Sequence, residues 1–203
     1  CCPSFVKYIE INFPELAPHI SHNLSPMAEL AGLIKRSDKT AKVIFIGPCI
    51  SKKAECKKEG VKELVDCVLT FEELQALFDG MDIEVEKLGE ESLNNASYYG
   101  RIFARSGGLS EAVARAIKEE NIDFTVDSEI CDGIEQCKAA LLKASKGKLD
   151  KNFIEGMACE GGCINGAACL HHGNRNRMEV DKYGKQALEK NIMDSLVVGP
   201  LIN

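Results

Sequence analysis

The chain has 203 residues, 45% of them hydrophobic and 28% charged, ordinary values for one or two globular domains with a buried core. Its net charge of −6 excludes broad nucleic-acid binding, which selects basic surfaces, and no apolar run reaches the roughly 20 residues that span a bilayer. Ten cysteines set among long helical and strand-like patterns point away from a disulfide scaffold. They point toward reduced, metal- or cluster-binding thiols in a cytoplasmic setting.

In chain order, Pro3 to Ile20 carries Phe5, Val6, Ile9 and Phe13 at near-helical spacing, a helix that Pro14 ends. Ser25 and Pro26 open a second helix as N-cap and first helical residue. Lys42 to Gly47 is a β-branched apolar run expected as a fully buried parallel strand, and Leu64 to Leu69 is a second strand. Thr70 and Glu73 form a capping box for the next helix, which Gly80 terminates. Met81 to Tyr99 is polar and irregular, the expected long loop. Arg101 to Ala104 reads as a short strand before a helix over Ser110 to Glu119, and Asp123 to Asp127 as another strand. The helix after it presents Ile130, Ile134, Cys137 and Leu141 on one face, and Asn152 to Met157 is a further strand. His171 to Arg177 reads as a loop. Strands alternating with helices predict an α/β fold: a mainly parallel sheet flanked by helices on both faces.

Three cysteine motifs stand out: Cys1-Cys2-Pro3-Ser4-Phe5, Pro48-Cys49-Ile50-Ser51-Lys52-Lys53, and Met157-Ala158-Cys159-Glu160-Gly161-Gly162-Cys163. The second and third follow predicted strands, and ligands of open α/β sheets bind beyond the carboxyl ends of strands, so Cys49 and Cys159 are expected in one crevice. Gly161 and Gly162 allow positive φ and close approach of backbone N–H groups to an anionic cofactor. Four gathered thiolates suit zinc or an iron–sulfur cluster. The zinc alternative would use Cys159, Cys163, Cys169 and His171 or His172, although a three-residue gap is not the usual zinc knuckle.

Here the sequence resembles the C-terminal domain of the iron-only (di-iron) hydrogenase large subunit. That family's motifs read approximately TSCCPxW, MPCxxKKxE and MACxGGCxxGGG in this order, against CCPSF, GPCISKKAE and MACEGGCINGAA here. Ser25-Pro26, the capping box at Thr70, Ser106-Gly107-Gly108 with Glu111-Ala112, and Asp132-Gly133-Ile134 extend the likeness between the motifs. Cys56, Cys67, Cys131 and Cys137 match no family role and are expected as small buried hydrophobes.

The resemblance implies a four-iron four-sulfur cluster linked to a di-iron unit carrying carbon monoxide, cyanide and a bridging dithiolate. Cys2, Cys49, Cys159 and Cys163 would be the cluster ligands, with Cys163 bridging to the two irons. Cys1 would pass a proton to the di-iron unit, and Lys52 would donate to a cyanide ligand. Met157 would form an apolar wall or be ordinary core. Ser25 would lie on the proton path, though an N-cap explains it equally. The implied reaction is reversible heterolytic cleavage of dihydrogen by the parent protein. Implied partners are an upstream N-terminal lobe, a ferredoxin-like electron donor or acceptor, and maturation proteins. Residues 1–203 are then expected to be a C-terminal fragment, inactive alone, with its cysteines empty or partly metallated.

The sequence also departs from the pattern. Gly47 replaces the methionine of MPC, Phe5 stands where Trp is frequent, and Ala167-Ala168 add methyl groups after the last motif. These changes resemble divergent sensory branches of the family. Two alternatives stay beside a hydrogenase: a low-turnover hydrogen or redox sensor, and a hydrogenase-like iron–sulfur assembly factor, which would not be expected to keep Cys1 and Lys52.

Overall fold

A computed structural model of the chain describes residues 1–91 and 96–195. Helix α1 (Pro3–Asn12) starts with Pro3 in its first turn, and a 3₁₀ turn over Pro14–His19 follows. Helix α2 (Pro26–Ser37) is capped as expected, the Ser25 hydroxyl accepting the Ala28 N–H at 3.4 Å. Strand β1 (Ile44–Ile46), helix α3 (Ser51–Glu55), strand β2 (Cys67–Leu69) and helix α4 (Phe71–Gly80) complete the first half. The capping box at α4 is reciprocal: Thr70 Oγ1 accepts the Glu73 N–H at 3.1 Å, and the Glu73 carboxylate accepts the Thr70 N–H at 2.9 Å. The second half holds α5 (Tyr98–Ile102), α6 (Gly108–Glu119), β3 (Ser128–Asp132), α7 (Ile134–Ser145), β4 (Phe153–Met157), α8 (Asn174–Lys185) and α9 (Ile192–Ser195).

The chain adopts the expected α/β arrangement of parallel strands flanked by helices, with the strands divided between two two-stranded sheets. β1 pairs with β2 from Ile44–Cys67 to Ile46–Leu69, and β3 with β4 from Ser128–Phe153 to Asp132–Met157. Each sheet has its own core. One is built on Phe5, Ile9, Phe13, Cys131, Cys137 and Leu141, the other on Met27, Ala28, Ala31, Val61, Val65 and Val68. Cys131 and Cys137 are thus the small buried hydrophobes expected of them, while Cys56 packs at the margin of the second core and Cys67 is half-buried. Among the described residues, no helix is long and apolar enough to cross a membrane.

Six local expectations are corrected. Arg101–Ala104 is not a strand, because Ser97 caps a helix there by accepting the Gly100 N–H at 3.3 Å, and Ile102 is fully buried. Asp123–Asp127 is an extended connection without strand pairing; the strand lies at Ser128–Asp132, and Ile130 belongs to it rather than to α7. Of Leu64–Leu69 only the last three residues pair, the earlier ones continuing a turn through the Leu64 and Val65 N–H bonds to Val61. β1 is half-buried, with Ile44 and Ile46 at 55% and 44% exposure on either side of an inward Phe45. The segment from His171 becomes helical at Asn174. The expected loop over 81–99 contains a 3₁₀ turn at Val85–Lys87 and the start of α5, and its residues 92–95 lie outside the described ones.

Two contacts tie the second half together. Glu155, fully buried on β4, accepts the Gly107 and Ser110 N–H groups at 2.7 Å each, satisfying the otherwise free donors at the start of α6. One residue on, a Cβ at Gly156 would sit 2.3 Å from the Phe5 ring, so the bare backbone is what lets α1 pack on β4. In the first half, Asp66 accepts the Val43 N–H at 2.8 Å and the ammonium groups of Lys35 and Lys42 at 2.9 and 3.2 Å. The backbone bond, then the two lysines, hold its carboxyl well below the usual carboxylate range.

Glu155→Ala strands two buried donors, so chemical denaturation is expected to show a loss of about 2–4 kcal/mol. Gly156→Ala forces Phe5 off the strand, at a cost of about 1–3 kcal/mol in the same measurement. Asp66 stabilises the fold above its unfolded pKa of about 4, and that contribution fades as pH falls toward its depressed folded value. Urea midpoints of Asp66→Asn should therefore lie below wild type at pH 7, with the gap narrowing below about pH 4.

Candidate metal centre

Three chain segments meet at one cavity. The N-terminus of α1 brings Cys1 and Cys2, the latter as N-cap; the turn after β1 brings Cys49; and the loop after β4 brings Cys159 and Cys163. The open cavity, of about 460 Å³, is also lined by Ile50, Lys52, Met157, Ala158 and Ala167, so apolar groups separate the thiols. All ten cysteines of the chain are free.

Backbone geometry makes this convergence possible. Gly161 and Gly162 take φ of +82° and +87°, a left-handed path that a side chain resists. A Cβ on Gly162 would lie 2.6 Å from the Ser106 nitrogen, because the loop bridges to Arg105 on the segment before α6. The Asp132 carboxylate at the end of β3 holds the loop from the other side, accepting the Gly161 N–H at 2.5 Å and the Ser106 hydroxyl at 2.6 Å. Beyond Cys163 the chain turns back onto the Cys49 turn. There the Ala168 N–H reaches the Pro48 carbonyl at 3.2 Å, and Gly166 leaves room where a Cβ would be 2.3 Å from the same oxygen. The Asn176 side chain at the start of α8 donates to the carbonyls of Ile164 and His171, at 2.9 and 2.8 Å, and fixes this return.

Burial pushes the Cys163 thiol up to about 12, with the neighbouring Cys2, Cys49 and Cys159 adding to the rise. Cys159 is raised by burial, then by Cys2 and Cys49, while the Ala167 N–H lowers it. Cys2 and Cys49 thus act on both raised thiols, and a bound cationic core would relieve that repulsion. Lys52 is 7% exposed, and its ammonium donates to Glu55 Oε2 at 2.6 Å, an ion pair that removes two charges from water and therefore costs desolvation. α1 begins at the cavity, and the partial positive charge of a helix start favours the negatively charged sulfur that would surround such a core.

Of the residues singled out from sequence, Cys1, Cys2, Cys49, Lys52, Met157, Cys159 and Cys163 all line the cavity. Cys1 is exposed, and Met157, at 1% exposure, closes the wall at the end of β4. Ser25 caps α2 and is not among the lining residues. The zinc alternative loses its donors to other contacts. The Cys169 thiol donates to the Ile164 carbonyl at 3.1 Å, His171 Nδ1 meets Asn176 Oδ1 at 3.0 Å, and His172 Nε2 meets the Gly166 carbonyl at 3.0 Å. Among the described residues, no three His, Cys, Asp or Glu side chains converge closely enough to hold a single metal ion. Four thiols spread around one cavity instead fit a polynuclear iron–sulfur cluster, which takes one thiolate per iron.

Sequence reasoning missed Glu55, Asp132, Ser4 and Ser51. Glu55 sits three residues after Lys52 on a helix, a spacing from which the ion pair is legible. The Asp132–Gly161 and Ser4–Ser51 contacts join distant segments and leave no local signal.

Comparison with known proteins places these observations. The model of the family "Iron only hydrogenase large subunit, C-terminal domain" matches residues 1–167. The periplasmic Fe hydrogenase large subunit of Nitratidesulfovibrio vulgaris is 31% identical over 82% of this chain and 49% of its own length. Iron hydrogenase 1 of Clostridium pasteurianum is 27% identical over 89% of this chain and 39% of its own. The cytosolic Fe-S cluster assembly factor NAR1 of Kluyveromyces lactis is 39% identical over 41% of this chain and 18% of its own. The chain thus spans half or less of the length of these relatives. An apo FeFe-hydrogenase structure from Chlamydomonas reinhardtii shares the fold, with a TM-score of 0.71 at 17% identity over 99% of this chain and 68% of that one. With the family model covering every cysteine that lines the cavity, the chain belongs to the iron-only hydrogenase large subunit family, through its C-terminal domain.

Proposed function

We propose that the chain is the cluster-binding C-terminal portion of a di-iron hydrogenase. In this reading Cys2, Cys49, Cys159 and Cys163 ligate a four-iron four-sulfur cluster. Cys163 would also hold a di-iron unit carrying carbon monoxide, cyanide and a dithiolate. The observation that carries the reading is the presence of Cys1 and Lys52 at the same cavity as those four thiols. When bound, that group supplies the reversible cleavage of dihydrogen into two protons and two electrons.

The chain's own residues do the rest. Cys1, an exposed thiol at the cavity, carries a proton between solvent and the interior. Lys52, buried and oriented by Glu55, presents a compact ammonium that suits a small anionic ligand. Met157, at 1% exposure, gives the cavity wall a buried apolar side chain. An upstream lobe, a ferredoxin-like electron carrier and maturation proteins complete the proposed system, which we place in the cytoplasm.

A low-turnover hydrogen or redox sensor with the same centre is favoured by one feature, the altered wall. Ala167 adds a methyl to the cavity, whereas Gly47 is not among the lining residues and the Phe45 ring stands 2.8 Å from where its Cβ would be. An assembly factor that binds ordinary clusters has no use for the paired Cys1 and Lys52.

Infrared spectra of the matured full-length protein separate these readings. Bands of metal-bound cyanide and carbon monoxide are expected, and Cys163→Ser should abolish them. Cys1→Ser should keep the bands and lower hydrogen turnover by about 100-fold or more. Bands without turnover in wild type would select the sensor. An intact cluster without bands would select the assembly factor and refute the hydrogenase reading.

A further inference from the structure

Ser4 and Ser51 line the same cavity as the four thiols, and their hydroxyl oxygens lie 2.5 Å apart. Each is half-buried and stands two residues after a proposed ligand, Ser4 after Cys2 and Ser51 after Cys49. Serines in the first turn of a helix ordinarily bond to nearby backbone groups. Here the side-chain bond of each is to the other, and the two hydroxyls meet across 47 residues of sequence.

The proton count then matters. Two hydroxyls carry two protons, and one proton lies in the bond between the oxygens. The second has no acceptor among the described residues, and the surrounding cavity wall is mostly apolar or thiol. Both serines line the cavity with Cys2, Cys49, Cys159 and Cys163, so a sulfur-rich centre held by those cysteines would offer that proton an acceptor. Hydrogen bonds donated to a cluster or its thiolates stabilise the more negative, reduced state and so raise the reduction potential.

Building on the cluster-binding reading above, we propose that the Ser4–Ser51 hydroxyl pair donates a hydrogen bond to the centre held by Cys2, Cys49, Cys159 and Cys163 and sets its reduction potential. The serines are positioning residues and do not ligate iron. The redox step they tune is a one-electron reduction of the cluster in which no bond is made or broken.

The test loads the full-length protein anaerobically with ferrous iron and sulfide and titrates it with dithionite, following the reduced cluster by electron paramagnetic resonance. The double variant Ser4→Ala/Ser51→Ala is expected to load as much iron as wild type. Its reduction equilibrium should be about tenfold weaker, ~59 mV lower for one electron. Ser51→Thr keeps the hydroxyl and should stay near the wild-type potential. A double variant with a full cluster and an unchanged potential would overturn the proposal. A double variant that folds by circular dichroism yet loads no iron overturns it too, because the pair would then serve assembly. Failure of the wild-type chain to form any cluster refutes the cluster-binding reading itself and removes the proposal with it.

Discussion

Thiols at the start of α1, after β1 and after β4 can serve one cofactor only if three backbone segments approach more closely than side chains normally permit. Phe5 takes the space a side chain at residue 156 would need, which sets α1 against β4 and brings Cys2 over the strand's end. The Pro48 carbonyl takes the space a side chain at residue 166 would need, which joins the Cys49 turn to the segment after Cys163. Asp132 closes the third side by gripping the Gly161 amide. Each approach costs packing freedom in the fold, and together they place four ionisable thiols in one partly enclosed space.

Such a nest is electrostatically unfavourable when filled only by protein. Burial and mutual repulsion keep Cys159 and Cys163 protonated, and the Lys52–Glu55 pair spends desolvation energy on two more charges nearby. Apolar residues would pack the same volume more cheaply. The arrangement makes sense as preparation for a cationic inorganic core that needs anionic sulfur ligands. Under the proposed function, bound metal would return that energy, as in metal sites whose assembly is coupled to folding.

Much of this was legible in the chain, and the reason differs by feature. The Ser25 cap and the Thr70–Glu73 box are local, set by side chains within three residues of the groups they satisfy, so sequence reading placed them correctly. The cysteine motifs were legible because ligand chemistry restricts which residues can stand there. Short strands were not: four residues at Arg101–Ala104 carry too little periodicity to outweigh the Ser97 cap and the burial of Ile102. β3 was misplaced by five residues because its register depends on pairing with β4, a partner 25 residues away. Ile44 and Ile46 read as buried because β-branched residues do not reveal which face of a strand is covered. The contacts that hold the site, Glu155 to α6, Asp132 to Gly161 and Ser4 to Ser51, span 29 to 48 residues and exist only in the folded chain.

The central claim is that Cys2, Cys49, Cys159 and Cys163 act as one ligand set. Iron and sulfide content, measured after anaerobic reconstitution of wild type and single Cys→Ala variants, addresses it most directly. In the full-length protein the iron count is expected to fall by about four when any of those four thiols is removed and to hold when Cys131, Cys137 or Cys169 is removed. A single iron per chain, or a full complement retained without Cys49 or Cys163, would contradict the account.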